Sequence, residues 1–468
     1  MGQTIFEKLW NEHTVSDLGD NTYLLYIDRI FIHERTGSIA LKGLEAAGRK
    51  VRNPEQAFAC MDHIVDTFPG RTDETRVPGG SAFITTTREA ANAAGITVFD
   101  LGDDRQGIVH VVAPEQGISL PGVTLVCPDS HTCTQGALGA LAWGIGSTEA
   151  EHALATKTLV VKKPNTMRVD FDGELGFGIT AKDMILHMIG EHSASGGGGY
   201  AMELAGSAVR NLPMEGRFTL CNMAVEFGAW TGIIAPDETT FDYVQGRPFA
   251  PQEHLWDQAL AHWKSLPSDA DATFDKEIDI DCEKITPQIT WGTSPQHETG
   301  IDGVVPDPAD EADANRRKSI ERALEYMDLT PGMPLEGIPI DAAFIGSCTN
   351  SRLSDLRGVA KILDGRKVAE GVKAICVPGS SQVKKAAESE GLDKIFKAAG
   401  FEWRESGCSM CFFAGGESFG LEERVVTSTN RNFENRQGPR TRSHLASPTT
   451  VAASAIKGCL TDVRKLEK

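Results

Sequence analysis

The sequence predicts an α/β protein built on mostly parallel sheets, and three observations carry that reading. A short apolar run, a turn marked by Gly or Ser, and a helix-like stretch recur in that order along the chain. A length of 468 residues is enough for about three domains with large buried cores. Its 48 glycines are spread throughout, and 40% of residues are hydrophobic, which fits a globular enzyme rather than a fibrous or disordered chain.

Taken in order, Gly122-Val-Thr-Leu-Val-Cys127 reads as a buried strand and Asp129-Ser-His-Thr132 as the turn after it. Residues 137–156, small and apolar with Glu149 and Glu151, then read as a helix. The four glycines at 196–199 read as a flexible turn, without the spacing of a dinucleotide fingerprint or a phosphate loop. Residues 245–315, rich in Pro, Asp and Glu, read as surface excursions or a domain connection. Asp341-Ala-Ala-Phe-Ile345 followed by Gly-Ser-Cys-Thr-Asn350 repeats the strand-and-turn plan, and Val372-Lys-Ala-Ile-Cys-Val377 before Pro378-Gly-Ser-Ser381 repeats it again. Strands alternating with helices imply parallel sheets, whose ligands gather at the carboxyl ends of the strands. The chemically suggestive residues all fall at such ends.

A formal charge of −19 argues against a nucleic-acid partner, which demands basic patches. It also means that an anionic substrate must be held by particular arginines rather than by a general field. No apolar run is long enough for a membrane span, and the first residues lack a signal-peptide core. Ten cysteines in such a chain read as reduced cytosolic thiols, so a cytoplasmic location is expected.

Three of those cysteines carry the most information. Cys408 and Cys411 form a C-x-x-C in Glu405-Ser-Gly-Cys-Ser-Met-Cys411, and Cys348 lies 60 residues upstream in Ile345-Gly-Ser-Cys-Thr-Asn-Ser351. No second C-x-x-C completes a four-thiolate site. Three thiolates can hold a cubane iron–sulfur cluster with one iron left open as a Lewis acid. On spacing alone a zinc half-site, a redox pair and unrelated thiols stay open as readings. The other seven cysteines read as small buried hydrophobes.

Four further groups and one lone histidine accompany them. Met61-Asp-His63 and Asp129-Ser-His-Thr132 each set a carboxylate within two positions of an imidazole, so one can tune the other. His110 is a further imidazole at a strand-like end. Asn222 and Glu226, four apart, share a face if helical. Arg431 and Arg436 bracket a turn in Thr429-Asn-Arg-Asn-Phe-Glu-Asn-Arg436, and guanidinium forks match carboxylates. Singly, each histidine reads as a satisfied structural residue and the arginine turn as a solvated loop.

Together, Asp129-Ser-His-Thr132, Gly346-Ser-Cys-Thr-Asn-Ser351, Gly407-Cys-Ser-Met-Cys411 and Asn430-Arg-Asn-Phe433 resemble the aconitase superfamily, and within it the two-subunit isopropylmalate isomerases. The likeness runs from Tyr26-Ile-Asp-Arg29 to Ser443-His-Leu-Ala-Ser-Pro448. It implies three α/β/α subdomains around a central cluster, at 1–165, 166–285 and 286–468. It implies one 4Fe–4S cluster on Cys348, Cys408 and Cys411, contacted by Asn222, Asn350 and Asn430. It implies catalytic roles for Asp62, His63, His110, Asp129, His131 and Glu226, and substrate contacts by Ser130, Arg431 and Arg436. The reaction it implies interconverts 2- and 3-isopropylmalate, a small dicarboxylic acid pair, through isopropylmaleate in leucine synthesis. Homoaconitase and citraconate or methylmalate hydratase are the alternatives within the same chemistry. About thirty residues follow Arg436, too few for the swivelling domain of full-length aconitases. The resemblance therefore implies a small partner subunit that supplies that domain and a serine base.

Overall fold

The computed structural model describes residues 2–466. Its frame is three parallel sheets wound alike. The first runs edge to edge through Thr97–Phe99, Ala57–Cys60, Arg29–His33, Thr124–Cys127 and Leu141–Gly144. The second runs through Thr231–Ile233, Tyr200–Ala205, Asn165–Asp172 and Lys276–Asp281. The third runs through Phe401–Trp403, Lys373–Cys376, Ala342–Ile345, Arg424–Thr427 and Arg442–Leu445. Counted by chain order, the first and third sheets share the strand order 3-2-1-4-5, and the second has 3-2-1-4.

The sequences of these strands explain the layering. Ala57–Cys60 and Ala342–Ile345 are buried at every residue, as strands covered by helices on both faces must be. Between strands 1 and 4 of such a sheet the winding reverses and leaves a crevice at the carboxyl ends. In the first sheet that crevice opens after His33 and Cys127; in the third it opens after Ile345 and Thr427. Loops from the third sheet dock on the first: Cys408 N–H donates to the Asp62 carbonyl at 2.8 Å, and Ile108 N–H to that of Gly379 at 2.9 Å. Gly107 permits this approach, because a Cβ there would stand 2.5 Å from Ser380 Cα.

Two antiparallel pieces depart from the parallel plan. Thr14–Gly19, Thr22–Tyr26 and Thr158–Lys162 form a ribbon, and Gln288–Thr290 pairs with Glu298–Gly300. The helix expected over 137–156 is confined to Ser147–Thr156; before it, Leu141–Gly144 is the edge strand of the first sheet. Glycines at 136, 139, 144 and 146 chop that apolar run to strand length. Nor is 245–315 only a surface excursion. It supplies helix His254–Trp263 and strand Lys276–Asp281, which pairs along its whole length with the central strand of the second sheet. The four-glycine turn packs closely, with Gly196 and Gly197 against the Phe227 ring. No described helix is long and apolar enough to cross a membrane.

Candidate active site

Strand ends of the first sheet build a carboxylate–imidazole network. Asp62 and His63 follow strand Ala57–Cys60, and Asp129 caps the 3-10 run Ser130–Leu138 by accepting the His131 N–H at 2.8 Å. His63 lies between two carboxylates, Nδ1 2.7 Å from Asp62 Oδ1 and Nε2 3.0 Å from Asp129 Oδ2. His110 Nε2 meets Asp129 Oδ1 at 2.9 Å, and His131 Nε2 meets Glu226 Oε1 at 2.7 Å. His110 sits in the first turn of helix Val109–Glu115 rather than at a strand end. Three imidazoles thus meet three acids.

The charges follow from those contacts. Burial opposes an imidazolium at His63, yet Asp62, Cys408 and Asp129 hold its proton well above the ordinary range. Burial likewise opposes the Asp129 carboxylate, but His110, His131 and His63 keep it well below its usual value. His63 with both nitrogens facing acceptors is therefore a cation between two anions.

Third-sheet elements bring the thiols, and a second-sheet helix brings an amide to them. Cys348, Cys408 and Cys411 are buried and free of disulfides. Ser347 and Ser409, beside them in sequence, adopt left-handed backbone (φ 86° and 47°), strain of the kind retained at functional sites. Asn222, near the end of helix Met214–Met223, donates to Cys348 Sγ at 3.1 Å; Asn430 donates to the same sulfur at 3.5 Å and faces Cys411 Sγ through Oδ1 at 3.8 Å. Arg436 Nη2 stands 3.9 Å from Cys411 Sγ, and Arg431 Nε donates to Glu226 Oε1 at 2.6 Å. Ser130 is exposed, with Oγ 3.3 Å from His131 Nδ1. Asn350, expected to contact the cluster, is buried with its Oδ1 free of hydrogen-bond partners. Its amide nitrogen donates to Thr219 Oγ1 and Asp355 Oδ1.

Two comparisons bear on this arrangement. The model of the aconitase family (aconitate hydratase) matches residues 7–458. The 3-isopropylmalate dehydratase large subunit 1 of Bradyrhizobium diazoefficiens is 54% identical over 467 residues, covering 100% of this chain and 98% of that protein. The chain belongs to the aconitase family. Iron–sulfur clusters are characteristic of the family, and the donor set fits one. Cys348 and Cys411 share a neighbour, with Ser347 Oγ 3.3 Å from Cys411 Sγ and 3.9 Å from Cys348 Sγ, and amide and guanidinium N–H groups face these two sulfurs as an anionic centre needs, while Cys408 Sγ lies 4.0 Å from Asp62 Oδ2. The neighbouring Cys133 spends its thiol on the Asn222 carbonyl at 3.7 Å. Of the seven other cysteines, six are buried and Cys459 is half-exposed.

Two residues absent from the sequence reading support these acid–imidazole pairs. Glu34 accepts the N–H groups of Asp62, His63 and Ile64 at 3.0, 2.7 and 2.5 Å, and so fixes the strand end that aims them. Burial, with Asp62 adding to it, pushes Glu34 up to about 7. His33 stacks on His63 with ring centroids 4.1 Å apart and donates from Nε2 to the Pro128 carbonyl; burial pulls it down to about 4, so it stacks as a neutral ring. Their signal was available, since His33-Glu34 ends an apolar run just as Asp129 follows one. Together with Asp62 and His63 they could enclose a cation. The carboxylate oxygens are already engaged by N–H groups, which makes this a hydrogen-bond network.

Proposed function

We propose that this chain is the large subunit of an isopropylmalate isomerase, a hydro-lyase that interconverts 2- and 3-isopropylmalate by dehydration and rehydration. The observation that carries the reading is the meeting of a charged His63 and its two carboxylates with three buried thiols across one seam. The full-length likeness to a 3-isopropylmalate dehydratase large subunit supports the substrate.

Cys348, Cys408 and Cys411 would hold a 4Fe–4S cluster, which supplies a Lewis acid for a substrate hydroxyl and carboxylate. Arg436, with Nε buried and without a hydrogen-bond partner, is the clamp for a substrate carboxylate. Arg431 is already bonded to Glu226, so it orients that carboxylate and a second substrate oxygen together. His63 is the proton donor to the departing hydroxyl: Asp62 fixes Nδ1, and Nε2–H is the proton it can release. His131, held by Glu226, orients the returning water through Nδ1 and Ser130 Oγ. His110 keeps Asp129 ionised throughout. A small partner subunit supplies a serine base for the carbon-bound proton and closes the site, and the complex acts in the cytoplasm.

The test is anaerobic reconstitution with iron and sulfide, then assay of 3-isopropylmalate dehydration with and without the cognate small subunit. Alkene absorbance that develops only with both subunits supports the whole reading. A full cluster with no isopropylmaleate formed rejects the substrate and points to homocitrate-type or citramalate-type acids.

A further inference from the structure

Lys182 is fully buried in the first turn of helix Ala181–His192, a position that disfavours a cation twice over. Burial strips its water, and the helix dipole presents its positive end there. Its neighbour Asp183 makes no hydrogen bond to it, because that carboxylate accepts from Gln288 N–H and from Thr180. Among the described residues Lys182 forms no ion pair. Nζ donates to the carbonyl oxygens of Ser428 at 3.2 Å and Thr429 at 2.5 Å. The next residue is Asn430, whose amide lies against Cys348 Sγ and Cys411 Sγ. Burial pulls the ammonium down to about 7, and the charges that oppose this are led by Cys411 and Cys348, followed by Glu226 and Asp183.

Resting on the cluster reading above, we infer that Lys182 is a positioning residue for the metal centre: its buried charge is the counter-ion of the three-thiolate cluster, and its two hydrogen bonds fix the turn that carries Asn430 and Arg431. An anionic centre offsets the cost of the buried ammonium, and the ammonium in turn favours the more negative, reduced cluster. Two carbonyl bonds alone could have been supplied by a neutral donor.

The experiment compares wild type, Lys182→Met and Lys182→Arg as the reconstituted complex with its small subunit. It reads iron content, the midpoint potential of the cluster, and the rise in Tm from apoprotein to loaded protein. In K182M the potential moves to more negative values at native iron content, and the rise in Tm on loading shrinks; K182R keeps both near wild type. A K182M protein with full iron, an unmoved potential and an unmoved rise in Tm overturns the assignment. Should K182M fail to fold, a K182R potential that moves as far as the spread between oxidised and reduced titrations overturns it, and one that stays supports it. Wild type that takes up no iron overturns the cluster reading and this inference with it, so the two failures are distinct.

Discussion

The first and third sheets have the same strand order and open the same crevice, yet they hold opposite chemistry. At the first, strand ends carry carboxylates and imidazoles that pair among themselves: His63 sits between Asp62 and Asp129, and His110 rests on Asp129. At the third, they carry thiols, two of which face N–H donors, an arrangement that makes electrostatic sense around an anionic metal centre. Winding decides where a site opens, and the few residues just past each strand decide what it does. The second sheet, wound alike, reaches the site through helices instead, with Asn222 and Lys182.

The two crevices should therefore fail differently. The largest effect belongs to the third: Cys348→Ser removes one of the three proposed ligands, and both iron content and activity of the complex should fall to background. Retention of full iron would break the assignment. At the first, Asp129→Asn turns an acceptor of His63, His110 and the His131 N–H into a group with donors of its own. Turnover should drop by about 10²–10⁴-fold, the span of general acid–base catalysis, with cluster absorbance unchanged. A cluster lost in D129N would mean the two crevices are one cooperative unit.

Much of this division was legible in the sequence. The strand Ala342–Ile345 and the turn after it stand where the apolar run and the Gly-Ser-Cys motif place them, and so do Thr124–Cys127 and Asp129. What escaped was whatever depends on partners far along the chain. Leu141–Gly144 reads as helix until its pairing with Thr124–Cys127 is known, because an apolar run buried on both faces has no period of its own. Glu34 acts through backbone N–H groups about thirty residues away, and Lys182 through carbonyls some 246 residues away. The bond from the Asn350 amide to Thr219 Oγ1 likewise joins residues 131 apart in the chain.

A milder change sharpens the contrast between holding metal and holding substrate. Arg436→Lys keeps the positive charge 3.9 Å from Cys411 in kind but loses the planar fork and its place between the Phe412 and Phe433 rings. The KM for isopropylmalate should rise roughly 10–100-fold, the value of a charge-assisted hydrogen bond. The iron content should not change. An unchanged KM in the assembled complex would remove Arg436 from the substrate and leave it to the cluster alone.

The smallest effect comes from a histidine outside both crevices, and it separates fold titration from site titration. His297 is buried, stacks on Trp291 with centroids 4.7 Å apart, and has its pKa pulled by burial down to about 4. Because the folded value lies below the ordinary value of 6.5, the unfolded chain binds a proton that the folded chain refuses. Stability from this residue is thus complete above pH 6.5 and drains away as the pH falls toward 4. Between pH 7.5 and 5 the loss is roughly 2 kcal/mol by linkage. In urea unfolding of the apoprotein, wild type should lose that much relative to His297→Gln over the same interval, whatever constant cost the substitution carries. A gap that does not move with pH would mean His297 titrates normally, and acid lability would then have to be sought in the buried imidazoles His33 and His444 instead.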